Sequence, residues 1–219
     1  MKKNYTIVFT AVLALIALCA FLGCDSGGDD DGSSLPLAEV ASLGTGEITL
    51  AEGAQVYNED GTPYTPGTGK TVRPESGDVG SSYADAVAAV SGIDAAGKLT
   101  LKLPVFTSLY WDAFGGTTMP AGLTANPSDV KLADMTYLHV DGGALRLRRN
   151  NTNGRGVVSY TYVDKDAVIT GEFDDHGETI FANLILKLGW NLVIEGRFGS
   201  NTAMVTGSPG DGYRWEVYD

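Results

Sequence analysis

The side chains best suited to acid–base chemistry in this chain are two closely spaced aspartates and two histidines. Asp164 and Asp166 are two positions apart, so an extended backbone would direct both carboxyl groups to one face. Glycoside hydrolysis, however, needs carboxyl groups on opposing elements. His139 and His176 stand alone, in a predicted strand and a predicted turn, whereas a zinc site needs several converging ligands. We therefore predict no catalytic residue, no metal site and no cofactor.

The segment from Thr65 to Thr71 reads TPGTGKT and resembles the phosphate-binding loop of ATPases, G-x-x-x-x-G-K-[ST]. Tyr64 stands where the first glycine of that motif belongs. The loop also needs a following helix, whose amides point at the phosphate. Residues 72–77, VRPESG, contain a proline and predict no helix of useful length. Nucleotide binding is therefore not expected.

Arginines cluster at Arg146, Arg148 and Arg149, with Arg155 nearby. Arg146 and Arg148 share one face of a predicted strand, opposite two leucines. The favoured interpretation is a solvent-facing strand balanced against an acidic surface, and the alternative is an anion site.

Aromatic side chains crowd a connection rich in glycine and proline. Tyr110, Trp111 and Phe114 lie there, with Asp112 among them. An aromatic platform beside a carboxylate suits stacking against a sugar ring or anchoring a protein partner. The alternative is a loop packed onto the core, because large aromatic side chains are usually buried. These three aromatic residues are the candidate ligand-binding residues.

The start of the chain has the layout of an export signal. Lys2 and Lys3 precede an apolar stretch from Ile7 to Leu22, and small Gly23 follows. The stretch is shorter than the roughly 20 apolar residues of a membrane span. Residues 1–23 are therefore predicted to be a signal peptide that is removed.

Phe21-Leu22-Gly23-Cys24 resembles the bacterial lipobox, although the family prefers leucine where Phe21 stands. The resemblance implies that Cys24 becomes the first mature residue and is acylated on its sulfur and its amine, palmitate being the expected kind of chain. More than one acyl chain gives durable membrane attachment. Asp25 resembles an inner-membrane retention signal of some bacteria, whereas an acidic tether accompanies surface display in others. The outer membrane or cell surface is favoured over the periplasmic face of the inner membrane.

Composition limits the partners of the mature protein. Loss of Lys2 and Lys3 with the signal takes the formal charge from −12 to −14, which disfavours nucleic acid. Residues 24–38, the lipidated cysteine and an acidic stretch, predict a flexible tether. Cys19 leaves with the signal, so the mature domain has no thiol apart from Cys24 and no disulfide.

The rest of the chain consists of short alternating runs separated by turn residues. Asp141-Gly142-Gly143 predicts a hairpin turn between two such runs. We predict an all-β fold, an antiparallel β-sandwich, either as one body or as two small β-modules at residues 39–104 and 105–219. At most one short helix is expected, near residues 83–90, with Ser82 as its cap; the alternative is a strand that begins at 87–90, with 95–97 as its turn. Trp190 and Trp215 fall in strand patterns and are predicted to be core residues.

Two further resemblances concern fold and location. Two segments resemble transthyretin-like, carboxypeptidase-regulatory-like modules: 54–61, AQVYNEDG, resembles the opening strand, and 93–101, IDAAGKLTL, resembles the D-x-x-G-x-[FL] hairpin. The resemblance covers residues 46–104. The insertion at 62–82 departs from the usual spacing of these modules. Residues 162–171 and 186–191 are similar to segments of uncharacterised bacterial lipoproteins, and that resemblance implies no chemistry.

These observations predict a non-catalytic binding or structural module of the cell envelope, held to the membrane by its acyl chains, with a glycan or protein ligand. The alternative is an envelope glycan hydrolase or an accessory subunit of one. The two hypotheses differ in whether Asp112, Asp164, Asp166 and His139 reach one pocket.

Overall fold

The computed structural model describes residues 37–107, 119–141, 145–152, 156–210 and 212–218. The helices of this part are α1 (Ser76–Val79) and α2 (Ser81–Ala88). The strands are β1 (Ser42–Gly44), β2 (Ile48–Asn58), β3 (Lys70–Pro74), β4 (Gly92–Ile93), β5 (Lys98–Leu103), β6 (Leu123–Asn126), β7 (Leu132–Met135), β8 (Leu138–Val140), β9 (Leu145–Asn151), β10 (Gly156–Val163), β11 (Ala167–Asp175), β12 (Glu178–Leu186), β13 (Gly189–Phe198), β14 (Asn201–Thr206) and β15 (Tyr213–Tyr218).

The predicted all-β class is confirmed, and alternation is its cause. In β5 the leucines at 99, 101 and 103 are fully buried, while the residues between them are only partly buried. Successive side chains of a strand point to opposite faces, so one apolar face is enough to attach the strand to the core. The predicted hairpin is also present, since β8 pairs antiparallel with β9 around Asp141, whose φ is +49°.

The strands form one mixed sheet, and most pairings between the described strands are antiparallel. Its order is β15-β2-β5-β4-β3-β8-β9-β10-β13-β14-β12-β11-β6, with β1 beside β13 and β7 beside β10. Two pairings are parallel, β12 with β14 and β15 with β2. Strand β15 also pairs with β9, so the strands β15, β2, β5, β4, β3, β8 and β9 form a closed ring in which each strand pairs with the next. Pairing also crosses the predicted module boundary at residue 104, through β2 with β15 and β3 with β8.

Strand β10 lies between two apolar cores, because both of its faces are buried. Tyr160 and Tyr162 belong to the larger core, with Trp190 and Trp215, and Val163 belongs to the smaller one. Trp190 is fully buried and Trp215 is 5% exposed, which confirms both as core residues. The smaller core is formed mainly by β11, β12 and β13.

The helix predicted near residues 83–90 is present as α2, and the one-turn helix α1 before it was not predicted. The cap prediction was wrong: Ser82 lies inside α2, and Gly80 occupies the N-cap position without a side-chain hydrogen bond. Tyr83 attaches α2 to the core, since its ring is buried and its hydroxyl donates to the Pro104 carbonyl at 2.9 Å.

Candidate functional site

The aspartates singled out in the sequence hold a turn together. Asp164 accepts a hydrogen bond from the Lys131 amide at 2.8 Å. Asp166 accepts one from the Leu188 amide at 2.9 Å and one from the Lys187 ammonium at 2.8 Å. The hydrogen bond from Lys187 lowers the pKa of Asp166. These bonds fix the connection from β10 to β11, so both carboxyl groups have a structural use.

The two histidines are far apart in the sheet. His139 lies in β8, with its Nε2 3.8 Å from the Glu75 carboxylate. His176 lies in the turn between β11 and β12 with its side chain 98% exposed. Neither lines the two cavities described below. In the described parts of the chain, no three histidine, cysteine or acidic side chains gather in a way that would hold a metal ion.

Several other predicted residues lie outside the described residues: Cys24, Tyr110, Trp111, Phe114 and Asp112. The lysine of the TPGTGKT segment is described. Lys70 begins strand β3 and pairs with Asp141 at 2.8 Å, so this segment leads into a strand and not into the helix that a phosphate loop requires.

A polar cleft of about 490 Å³ lies where five strands end or begin. Its charged lining consists of Arg148 from β9, Glu178 from β12, and Glu195 and Arg197 from β13. Asn150, Val157 and Thr202 complete much of the wall. We call this site the polar cleft.

Strand register places these residues side by side. Asn150 lies opposite Val157, and Val157 in turn lies opposite Glu195. Glu195 and Arg197 are two positions apart in β13, so they share a face. Gly156 leaves space here for its neighbours, since a Cβ atom at this position would lie 2.9 Å from the Tyr213 hydroxyl and 3.1 Å from the Glu195 carbonyl oxygen.

The charges of the polar cleft do not neutralise one another. Among the described residues, no ion pair within 4.0 Å joins either arginine to either glutamate, although all four line the same space. The Arg148 guanidinium lies 4.3 Å from the ring centre of Tyr218, and its buried Nε has no hydrogen-bond partner among the described residues. Glu178 accepts a hydrogen bond from the Thr202 hydroxyl.

Burial and neighbouring acids act together on Glu195. Burial raises the pKa of this carboxyl group, and the negative charges of Asp134, Asp175 and Glu178 raise it further. A carboxyl group in this position carries a proton more readily than one on an open surface.

A hydrogen-bonded group behind the cleft fixes Asn150. Glu216 is 8% exposed and accepts from Asn150 at 2.6 Å and from the Arg214 Nε at 2.7 Å. Because the Asn150 amide donates to this buried carboxylate, its orientation at the cleft wall is set.

Sequence reasoning found one residue of this cleft and missed the rest. Arg148 was expected on a solvent-facing strand, but it is only partly exposed and lines the cleft. Glu195 and Arg197 lie on the same face of β13 as buried Val193, because the three residues alternate along the strand. This alternation in the sequence could have placed the two charged residues on one face. Nothing in the linear order marks Glu178, which begins β12, as their neighbour.

Comparison with family models, with curated proteins and with solved structures gave no significant match. Neither helix of the described residues is long and apolar enough to cross a membrane.

Proposed function

We propose that this protein is an exported lipoprotein, attached to the cell envelope through acyl chains on Cys24, and that its β-sheet domain is a non-catalytic binding module. The positively charged start, the apolar stretch and the small residue before the cysteine support the attachment. The acidic residues 25–34 would separate the domain from the bilayer.

The observation that carries the binding proposal is the set of unpaired charges in the polar cleft. Arg148 and Glu195 are half-buried without an ion partner among the described residues, which is costly, and Glu178 and Arg197 are exposed beside them. A ligand with complementary groups would supply the partners. Two guanidinium groups and two carboxylates suit a small ligand that carries both signs of charge. We propose a zwitterionic ligand of the envelope, such as a short peptide or a glycan fragment that bears a peptide.

Calorimetric titration of the detergent-solubilised protein tests this ligand class. Trialanine, which has a free ammonium and a free carboxylate, should give saturable binding. N-acetyl-trialanine amide has the same side chains and no charge, so it should bind at least about tenfold more weakly. Equal binding of the two peptides, or no binding of trialanine, would contradict the proposal.

Attachment is tested separately by substitution of Cys24. Mass spectrometry of the mature wild-type protein should show an acylated N-terminal cysteine, and Cys24→Ala should abolish acylation and release the protein from membranes. Proteolysis of the domain on intact cells would favour the outer membrane or cell surface, whereas protection until the envelope is permeabilised would favour the periplasmic face.

The alternative is an envelope glycan hydrolase, and one observation favours it. Glu195 has a raised pKa and lines the same cleft as Glu178, and glycosidases use a protonated carboxyl group beside an ionised one. Release of reducing sugar from envelope glycans by the wild type, lost in both Glu195→Gln and Glu178→Gln, would support this alternative.

A further inference from the structure

A second cavity lies beside the smaller core and, unlike the polar cleft, has a mainly apolar lining. It has a volume of about 210 Å³ and is lined by apolar side chains, among them Leu123, Leu132, Ile169, Phe173, Leu184 and Met204. We call it the apolar cavity. Among the described residues that line it, Asp134 is the only charged one.

The Asp134 carboxylate is held rigidly by hydroxyl groups. Oδ1 accepts from Ser159 at 2.6 Å and from Thr161 at 2.8 Å, and Oδ2 accepts from Thr136 at 2.7 Å. Ser159 and Thr161 are buried, so the network fixes the carboxylate between β7 and β10. A carboxylate has about four sites for accepting hydrogen bonds. The Thr136 and Ser159 hydroxyls also lie 2.6 Å apart and carry one proton each, so at any moment one of them donates to the other and the carboxylate keeps a free accepting site.

The charge of Asp134 has no counterpart in the described part of the chain. No lysine, arginine or histidine there lies within 4.0 Å of this carboxylate. Its surroundings are acidic as well: burial raises the pKa of Asp78 and of Glu195, and the charge of Asp134 adds to the effect on each. A fixed carboxylate with acidic neighbours and no cation attracts a positively charged group.

We propose that the apolar cavity binds a small organic ammonium ion, whose charged nitrogen donates to Asp134 and whose apolar body contacts the surrounding side chains. The size fits a body near that of one aromatic ring, since an apolar cavity of about 150 Å³ is known to hold benzene. This proposal does not rest on the ligand proposed for the polar cleft.

The first test compares three probes on the full-length protein labelled with ¹³C at the methionine methyl groups. Benzylammonium should shift the Met204 and Met119 signals saturably, because both residues line the cavity, and should leave Met135 in the larger core unchanged. Benzyl alcohol, of nearly the same shape but uncharged, should bind at least about tenfold more weakly. Methylammonium, which lacks the apolar body, should give no saturable shift.

Two variants make the test decisive. Asp134→Asn should weaken benzylammonium binding at least about tenfold and change benzyl alcohol binding less than about twofold. Ala182→Leu should block both probes, since Ala182 lines the cavity and the larger side chain fills it. Glu172→Gln on the exposed side of β11 is the matched charge control and should bind as the wild type does. The proposal is overturned if benzyl alcohol binds as tightly as benzylammonium, if Met204 does not respond, or if folded Ala182→Leu binds both probes unchanged.

Discussion

Glu195 on β13 lies directly opposite Met204 on β14, so the polar cleft and the apolar cavity meet the same cross-strand pair. Glu195 lines the first and Met204 lines the second. On its other side, Met204 lies opposite Ala182 of β12, so the same row continues into the cavity. Two adjacent sites of opposite character therefore share the wall formed by β13 and β14.

Stability should depend on pH through Asp78. Burial, then the charges of Glu75 and Asp134, raise the pKa of this carboxyl group to about 6 from an ordinary value of 3.8. The folded state therefore binds more protons than the unfolded state between these values, and stability falls as pH rises from about 4 to about 6. Because Asp78 is only partly buried, solvent reduces the effect to about 1 kcal/mol.

Asp78→Asn should remove this loss. We expect its melting temperature to exceed that of the wild type by about 2–4 °C at about pH 7, with a much smaller difference at about pH 4. Exposed Glu52→Gln is the control and should show no such pH-dependent difference. A constant offset between Asp78→Asn and the wild type at both pH values would contradict this account.

Gly171 should not tolerate a side chain. Its φ is +131°, and a Cβ atom there would collide with the carbonyl oxygen of Gly122, which faces it from the segment before β6. Gly171→Ala should therefore destabilise the protein by about 2 kcal/mol or more. Denaturant unfolding measures this, with Gly46→Ala as control because a Cβ atom there meets nothing within 4 Å. Similar midpoints for the two variants would show that β6 and β11 separate easily.

Among the residues of the larger core, Trp190 should contribute most to the free energy of unfolding. It is fully buried and packs edge to face against Phe106 at 5.7 Å and Tyr162 at 5.5 Å between ring centres. Trp190→Ala should cost about 3–5 kcal/mol of unfolding free energy. Val168→Ala, at a position 44% exposed, should cost far less. A loss below about 1 kcal/mol for Trp190→Ala, measured by denaturant unfolding, would be incompatible with this packing.

The sequence predicts the strands better than the sites. Strand β5 can be predicted because the alternation of Leu99, Leu101 and Leu103 is a local pattern that indicates one apolar face. The turn at Asp141 can be predicted from its own residue types. The polar cleft depends on strand order instead. Glu178 and Glu195 become neighbours because β14 inserts between β12 and β13, pairing parallel with one and antiparallel with the other. The order of strands in a sheet depends on residues far apart in sequence, so local sequence patterns do not predict it.

Asp134 illustrates the same limit. Asp134 lies in the short run L-A-D-M and was not among the residues singled out from the sequence. Its three hydroxyl partners come from its own strand end and from β10, which lies more than twenty residues later. Only the pairing of β7 with β10 brings them together.

The central claim is that the unpaired charges of the polar cleft bind a zwitterionic ligand, and the most direct measurement is calorimetric titration of trialanine into the wild type and Arg197→Gln. Among the described residues Arg197 makes no ion pair within 4.0 Å, so the variant should keep the wild-type melting temperature and bind trialanine at least about tenfold more weakly. Arg73→Gln, which removes an arginine paired with Asp85 elsewhere, should bind as the wild type does. Unchanged trialanine affinity in folded Arg197→Gln would contradict the claim.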